Sequence, residues 1–350
     1  MIRGEKKRDC FVKQFLFPTL RGLKKLKLTV MKKSFCEILR DKYPRESEVE
    51  EFYSTNIANC VFNSFLSYTT IMLNIVTIHA IRKTPSLPKT LKTLLLSLAV
   101  SDVGVGLVNQ PFYVALLIKW LHENNPGCDT YKVFYFIASL FSSASFSGVV
   151  AASVDRFLAI HLHLRYQELV THKRVVAVVI LIWVLSVFAS FSMFWIPRDI
   201  FSLIIAITEI IGVLLTTMIY MRIYLTVRRH KNQIQALQVQ QEAQAGEVAN
   251  FASRISAVGI FYVYLVFLIC YLPYFISFAA FKINEPNVTL KRFFHFSLTL
   301  VNLNSSLNPI IYCWKMRHIR HAVMNTLRNM YWRRNPASHE TLALAGHTLP

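Results

Sequence analysis

Residues 293–314 read FFHFSLTLVNLNSSLNPIIYCW, an apolar stretch broken in its middle by Asn302, Asn304, Ser305, Ser306 and Asn308 and followed by Pro309 and Tyr312. A helix rising ~1.5 Å per residue needs about 20 mostly apolar residues to cross a bilayer, and this stretch is long enough. Its polar residues would then lie at membrane depth. Such residues are costly there, so each one marks a candidate functional position that needs partners inside the protein.

Working outward, six further stretches have the same length and apolar character, at about 57–81, 91–118, 131–161, 175–196, 201–227 and 255–280. Only helices or closed barrels satisfy their backbone groups in lipid, and these runs are too long and continuous for barrel strands. The fold class predicted is an all-α membrane protein, a bundle of seven transmembrane helices. Composition agrees: the 350 residues are 54% hydrophobic and only 17% charged, where a soluble domain carries roughly a quarter charged residues.

The formal net charge of +20 does not point to nucleic acid, because no basic face is interleaved with stacking aromatics. Much of the charge lies in the gaps between spans. Arg82, Lys83 and Lys89, then Arg165, Lys173 and Arg174, then Arg228, Arg229 and Lys231, and finally Lys315, Arg317, Arg320 and Arg328 occupy alternate gaps and the end. The opposite gaps hold fewer, so the positive-inside bias places the C-terminus in the cytoplasm and the N-terminus outside. Residues 1–51 break the bias with 14 Lys or Arg against 8 Asp or Glu. Long leading segments translocate largely regardless of charge, and a later start, for example at Met31, would also resolve the conflict. No apolar core before a small-residue cleavage site is visible, so the first span serves as insertion signal.

Three divisions follow: a basic outer segment at 1–56, read as disordered or partly a mis-set start, the bundle at 57–314, and a cytoplasmic tail at 315–350. In that tail, basic residues alternate with Ile319, Val323, Leu327 and Trp332, the pattern of a short amphipathic eighth helix on an anionic leaflet. The gap 228–254 is rich in Gln and Ala and reads as helical extensions of the fifth and sixth spans.

The polar landmarks are Asn74 in the first span, Asp102 in the second, Asp155-Arg156-Phe157 ending the third and Trp183 in the fourth. Tyr220 follows in the fifth, Cys270-Tyr271-Leu272-Pro273 in the sixth and Asn308-Pro309-Ile310-Ile311-Tyr312 in the seventh. Any one is weak evidence, but all seven in order over about 57–330 resemble the rhodopsin-like G-protein-coupled receptors. The resemblance implies a receptor, not an enzyme. It would sit in the plasma membrane, with an extracellular ligand, a heterotrimeric G protein, arrestin and membrane lipid as partners. It also implies a polar network of Asn74, Asp102, Ser145, Asn304, Ser305 and Asn308 able to hold an allosteric sodium ion. The activation switch would comprise Asp155, Arg156, Tyr220, Phe267, Tyr271, Pro273, Pro309 and Tyr312, with Phe267 packing on Phe146 and both prolines kinking their helices.

The departures from the family pattern are informative. Tyr271 replaces the usual Trp, Phe157 a Tyr and Gly212 a Pro, while Ser253 stands where an acidic residue often locks the arginine, which predicts raised basal activity. The fourth and fifth spans are joined by only about residues 197–200, without cysteine. The family's usual bridge from the third span to that loop therefore cannot form, and Cys128 pairs with Cys60 or Cys36 or stays free. Ala138 stands where amine receptors carry aspartate. Short loops and the YMRIYLTVRRH stretch are similar to the adenosine, melanocortin, cannabinoid and lysophospholipid group. Asn109, Gln110, Tyr113, Ala138, Tyr274 and Ser277 are ligand-cavity candidates, joined by Glu209, read as a neutral hydrogen-bonding carboxyl rather than a counter-ion. Asn287-Val288-Thr289 is a glycosylation acceptor by pattern.

Other classes fit less well. Transporters show repeated halves, and membrane enzymes need a catalytic set such as HExxH or GxSxG; the sequence has neither. A seven-helix scaffold that has lost signalling remains the alternative.

Overall fold

The computed structural model describes residues 41–334 apart from 86, 123–125, 163–164 and 238–244; side chains at 46, 198–199, 202, 227–257 and beyond 328 are also outside the description. The chain forms α1 (Val49–Lys83), α2 (Lys89–Leu121), α3 (Cys128–His161), α4 (His172–Ser192), α5 (Arg198–Leu237), α6 (Ala245–Ile283), α7 (Val288–Lys315) and α8 (Arg317–Arg334). A single helical turn at Tyr166–Leu169 lies between α3 and α4.

Six of these helices, α1 to α6, are long and apolar enough to cross a membrane. The seventh, α7, falls short in apolarity because it carries the Asn and Ser run together with Lys291, Arg292 and His295. Except for Arg292, which is exposed, those residues do not face lipid: Lys291, His295, Asn302, Asn304, Ser305, Ser306 and Asn308 are all buried. The outward faces are apolar, with Ile180, Val184 and Phe188 of α4 and Ile210, Ile211 and Met218 of α5 exposed. Apolar outside and polar within is the arrangement lipid selects, since buried polar groups can satisfy one another only across helices.

At the centre stands α3, in contact with α2, α4, α5 and α6; α7 packs between α1 and α6, and α8 lies against α1. The inner half is closed by an apolar cluster that includes Leu94, Ile160, Tyr220, Ile260, Tyr312 and Ile319. The outer half is closed by a second cluster of Tyr43, Tyr113, Trp120, Tyr131, Phe134 and Phe294.

The helix bounds differ from the apolar spans in ways that have local causes. The first helix begins at Val49, not Ile57, because Glu50, Glu51 and Asn56 are polar without breaking helical geometry. The residues before it, 41–48, pack onto the bundle instead of forming a detached arm: Lys42 and Tyr43 are buried. The fourth helix stops at Ser192 and a turn leads to α5. The fifth and sixth helices run on to Leu237 and from Ala245, as the Gln- and Ala-rich gap predicts. Within α2, residues Val105–Asn109 form a π turn just before Pro111. Proline lacks the N–H and crowds the carbonyl four residues back, and the wider turn accommodates both.

Candidate functional site

The polar centre lies among α1, α2, α3 and α7. Asn308 donates from Nδ2 to Asp102 Oδ2 at 2.9 Å. Pro309 has no N–H to offer the Ser305 carbonyl one turn earlier, and Asn74 fills the gap by donating to that oxygen at 3.0 Å. The Thr70 and Ser306 hydroxyls meet at 2.5 Å. Asp102 and Asn308 are fully buried, yet Asp102 Oδ1, Ser145 Oγ and the amide oxygens of Asn74, Asn304 and Asn308 have no hydrogen-bond partner among the described residues. Buried oxygens of this kind are the donors that a hard monovalent cation takes, and they suit ordered water equally.

Above this centre the α1–α7 seam continues as a ladder. Asn63 donates to Thr299 Oγ1 at 3.0 Å, and Thr299 donates to Asn59 Oδ1 at 2.8 Å. Asn302 donates to Asn63 Oδ1 and Asn109 to Asn302 Oδ1, each at 2.9 Å. Asn109, a cavity candidate from the sequence, is therefore committed to the seam. Asn59, Asn63 and Thr299 were not singled out by the sequence reading. A signal for the two asparagines existed: Asn56, Asn59, Asn63, Thr70, Asn74 and Thr77 recur on one face of α1.

At the end of α3 next to the Tyr166 turn, Arg156 is buried, and its guanidinium donates twice to Asp155 Oδ2, from Nε at 3.0 Å and from Nη2 at 2.5 Å. Tyr166 of the loop turn donates to the other oxygen, Asp155 Oδ1, at 2.6 Å and shares a 2.8 Å bond with Thr90 of α2. Burial and then the Asp155 charge push the Tyr166 phenol up to about 12, so it remains a donor. This tyrosine was missed because a loop position carries no periodic signal. Tyr220 bonds Ser153 of α3 at 2.9 Å and stacks on Tyr264. The Tyr312 hydroxyl is buried without a partner among the described residues, and both tyrosines belong to the inner cluster. Ser253 falls among the side chains outside the description.

Between the two ends, Phe146 of α3 packs on Phe267 of α6 with ring centroids 5.4 Å apart, and Phe267 stacks on Tyr271 at 4.0 Å. On its other side Phe146 lies against Gly212, where an added Cβ would collide with the ring. The glycine is thus the space that this ring occupies. Pro273 and Pro309 both lie inside continuous helices.

In the outer half, the Tyr113 hydroxyl meets His295 Nδ1 at 3.1 Å. Gln110 is buried with neither amide atom hydrogen-bonded to a described residue, and Ser277 bonds the Tyr274 carbonyl at 2.7 Å. Tyr274 packs on Phe294; Glu209 and Ala138 are half-buried on α5 and α3. His295 and Lys291 were not anticipated. Lys291 is fully buried and pairs at 2.5 Å with Glu48, ahead of α1. Burial alone would raise the Glu48 carboxyl, but the Lys291 ammonium and the Arg45 backbone N–H bring it below its ordinary value. Asn287 caps α7, its Oδ1 accepting from the Leu290 N–H at 2.8 Å. Cys128 is disulfide-bonded while Cys60, Cys270 and Cys313 are free. Both the bridge to Cys60 and the free Cys128 thiol are thereby excluded, and Cys36 lies outside the described residues.

Fold and site together define a seven-helix membrane receptor bundle with a polar core. Comparison with known proteins agrees. The family described as 7 transmembrane receptor (rhodopsin family) matches residues 73–199 and 195–312. The adenosine receptor A2b of Gallus gallus is 32% identical over 126 residues, 36% of each chain. The muscarinic acetylcholine receptor M3 of Rattus norvegicus is 30% identical over 135 residues, 37% of this chain and 22% of that one. The chain thus spans about a third or less of the length of these relatives. In fold it is similar to squid rhodopsin, with a TM-score of 0.67 and 20% identity over 79% of this chain and 81% of that one. The chain belongs to the rhodopsin family of seven-transmembrane receptors, which are receptors rather than enzymes.

Proposed function

We propose that this receptor transmits binding of an extracellular ligand to a heterotrimeric G protein by movement of α5, α6 and α7. The observation that carries the reading is the state of Arg156. An always-charged side chain is buried at the cytoplasmic end of the central helix, held only one residue away by Asp155, which Tyr166 holds in turn. A buried guanidinium with a removable partner is a group stored for another use, and exposing it would present a cation to a cytosolic protein. The aromatic contact between Phe146 and Phe267, and the prolines inside α6 and α7, supply elements able to repack between the outer cavity and that arginine.

In this reading the receptor lies in the plasma membrane with residues 1–56 outside, 57–314 as the bundle and 315–350 in the cytosol, where arrestin is a second partner. The basic α8 rests on the anionic inner leaflet. A sodium ion at Asp102, Ser145, Asn304 and Asn308 would add charge compensation that favours the resting arrangement; Asn74 and Ser305 support it. Raising sodium should then lower basal signalling in the native chain and not in Asp102→Asn, as read by nucleotide exchange. The relatives are named for adenosine and acetylcholine. Ser277 and Phe278 stand near the site where the resemblance implies a base-binding asparagine, and Ala138 where it implies an amine-binding aspartate, so neither ligand is proposed here.

The test is guanine-nucleotide exchange by purified full-length chain in lipid vesicles, against a panel of G proteins, with and without a ligand library. Stimulated exchange with at least one G protein is expected, already detectable without added ligand. A correctly inserted chain that stimulates none of them would instead be a seven-helix scaffold.

A further inference from the structure

Residues ahead of α1 fold back into the bundle, at the end that holds Phe294 and His295. Lys42 and Tyr43 precede α1 in sequence, yet both are buried, at 3% and 0% exposure. The Tyr43 ring lies 4.6 Å from Tyr131 of α3, 5.1 Å from His295 and 6.4 Å from Phe294 of α7. Through His295 it reaches Tyr113 of α2. The Lys42 ammonium stands over Phe278 of α6 at 4.4 Å, Phe294 at 5.2 Å and Tyr135 of α3 at 5.4 Å. Two adjacent side chains thus engage α3, α6 and α7 at once, and the cluster that Tyr43 joins includes Tyr113, a ligand-cavity candidate, with Tyr274 packed against it.

Elementary energetics says that this placement is specific. A lysine ammonium is not buried without compensation, and the aromatic faces that converge on Lys42 contribute to it. The segment is also clasped from behind. Glu48 receives both the Lys291 ammonium, at 2.5 Å, and the Arg45 backbone N–H, at 2.9 Å, which pins the turn at 45–48 to the top of α7. A surface strap would leave Lys42 in water; this one points it inward.

We propose that Lys42–Tyr43 is an intramolecular ligand of the outer cavity, the ammonium taken by the cage of Tyr135, Phe278 and Phe294 and the phenol ring by Tyr131 and His295. The inference rests on reading that cavity as the receptor's ligand site, and it names the chemistry the site accepts: an organic cation joined to an aromatic ring. A tethered occupant is present at an effective concentration of about millimolar, so a diffusible ligand must displace it or find it withdrawn.

Cysteine accessibility tests this on the full chain in cell membranes, without knowledge of ligand or G protein. Ala138→Cys places a thiol one helical turn deeper than Tyr135 on the same face of α3. The probe is a membrane-impermeant trimethylammonium thiosulfonate, and the chain with native Ala138 gives the background from Cys60, Cys270 and Cys313. Adding Lys42→Ala and Tyr43→Ala should speed modification of the introduced thiol by about tenfold or more, and a synthetic peptide of residues 41–48 at about millimolar concentration should slow it again. Equal rates with and without the two substitutions would overturn the proposal. A photoreactive benzoylphenylalanine in place of Tyr43, in an otherwise native chain, gives a second reading that does not depend on the cysteine variant folding. It should crosslink to peptides containing Tyr131 or Phe294 and His295, and crosslinking elsewhere or not at all would count against it. A chain that fails to stimulate nucleotide exchange yet gives these crosslinks would lose its assignment as a signalling receptor and keep its tethered occupant.

Discussion

Gly212 shows how one missing side chain can shape a receptor core. Where the family resemblance implies a proline, this chain has a glycine against which Phe146 lies, and a Cβ there would run into the ring. Gly212→Ala should therefore overpack the junction of α3, α5 and α6 and lower stability by about 1–3 kcal/mol. Thermal melting of the solubilised receptor measures this, and the double variant Gly212→Ala with Phe146→Leu should recover most of the loss. At the other end, Tyr166→Phe removes a hydrogen bond to a charged carboxylate, an interaction of about 1.5–3 kcal/mol. Asp155 then holds Arg156 less firmly, and basal nucleotide exchange should rise; unchanged exchange would place Tyr166 outside the switch. The sequence announced Gly212 only as a departure and was silent on Tyr166, because both act through a neighbour distant in the chain.

Among the elements, α7 carries the seam and α1 answers it. The proline in α7 frees a carbonyl that Asn74 of α1 satisfies, and the Asn59, Asn63, Thr299 and Asn302 ladder repeats the theme toward the outer face. Asn63→Leu removes one donor and one acceptor from the middle of this ladder, leaving Thr299 and Asn302 with unmet partners at a cost of about 1–3 kcal/mol. Thermal melting should report that loss, whereas Asn63→Gln, which keeps both functional groups, should recover part of it. The helices themselves were legible from length and hydrophobicity, and the polar run in α7 was legible as a core. Which residues of α1 pair with it was not assigned, although their spacing on one face was there to be read. The π turn before Pro111 was invisible, since proline signals a disturbance and not the geometry that absorbs it.

For the molecule as a whole, polarity is inverted relative to a soluble fold: Asp102, Arg156 and Lys291 are interior while Phe188, Ile211 and Met218 face outward. That inversion was readable from composition, as was the placing of basic residues in alternate gaps. The seating of Lys42 and Tyr43 in the outer cavity was not, because the charge of the first 51 residues reads as a solvated arm and nothing local says where an arm will fold back. The central claim is that Arg156, buried and paired with Asp155, is the group this receptor is proposed to release to a cytosolic partner. Replacing Arg156 with alanine and measuring nucleotide exchange beside surface abundance tests it most directly. Exchange lost while the chain still reaches the surface in native amount is the result expected, and undiminished exchange from a normally displayed Arg156→Ala chain would contradict it.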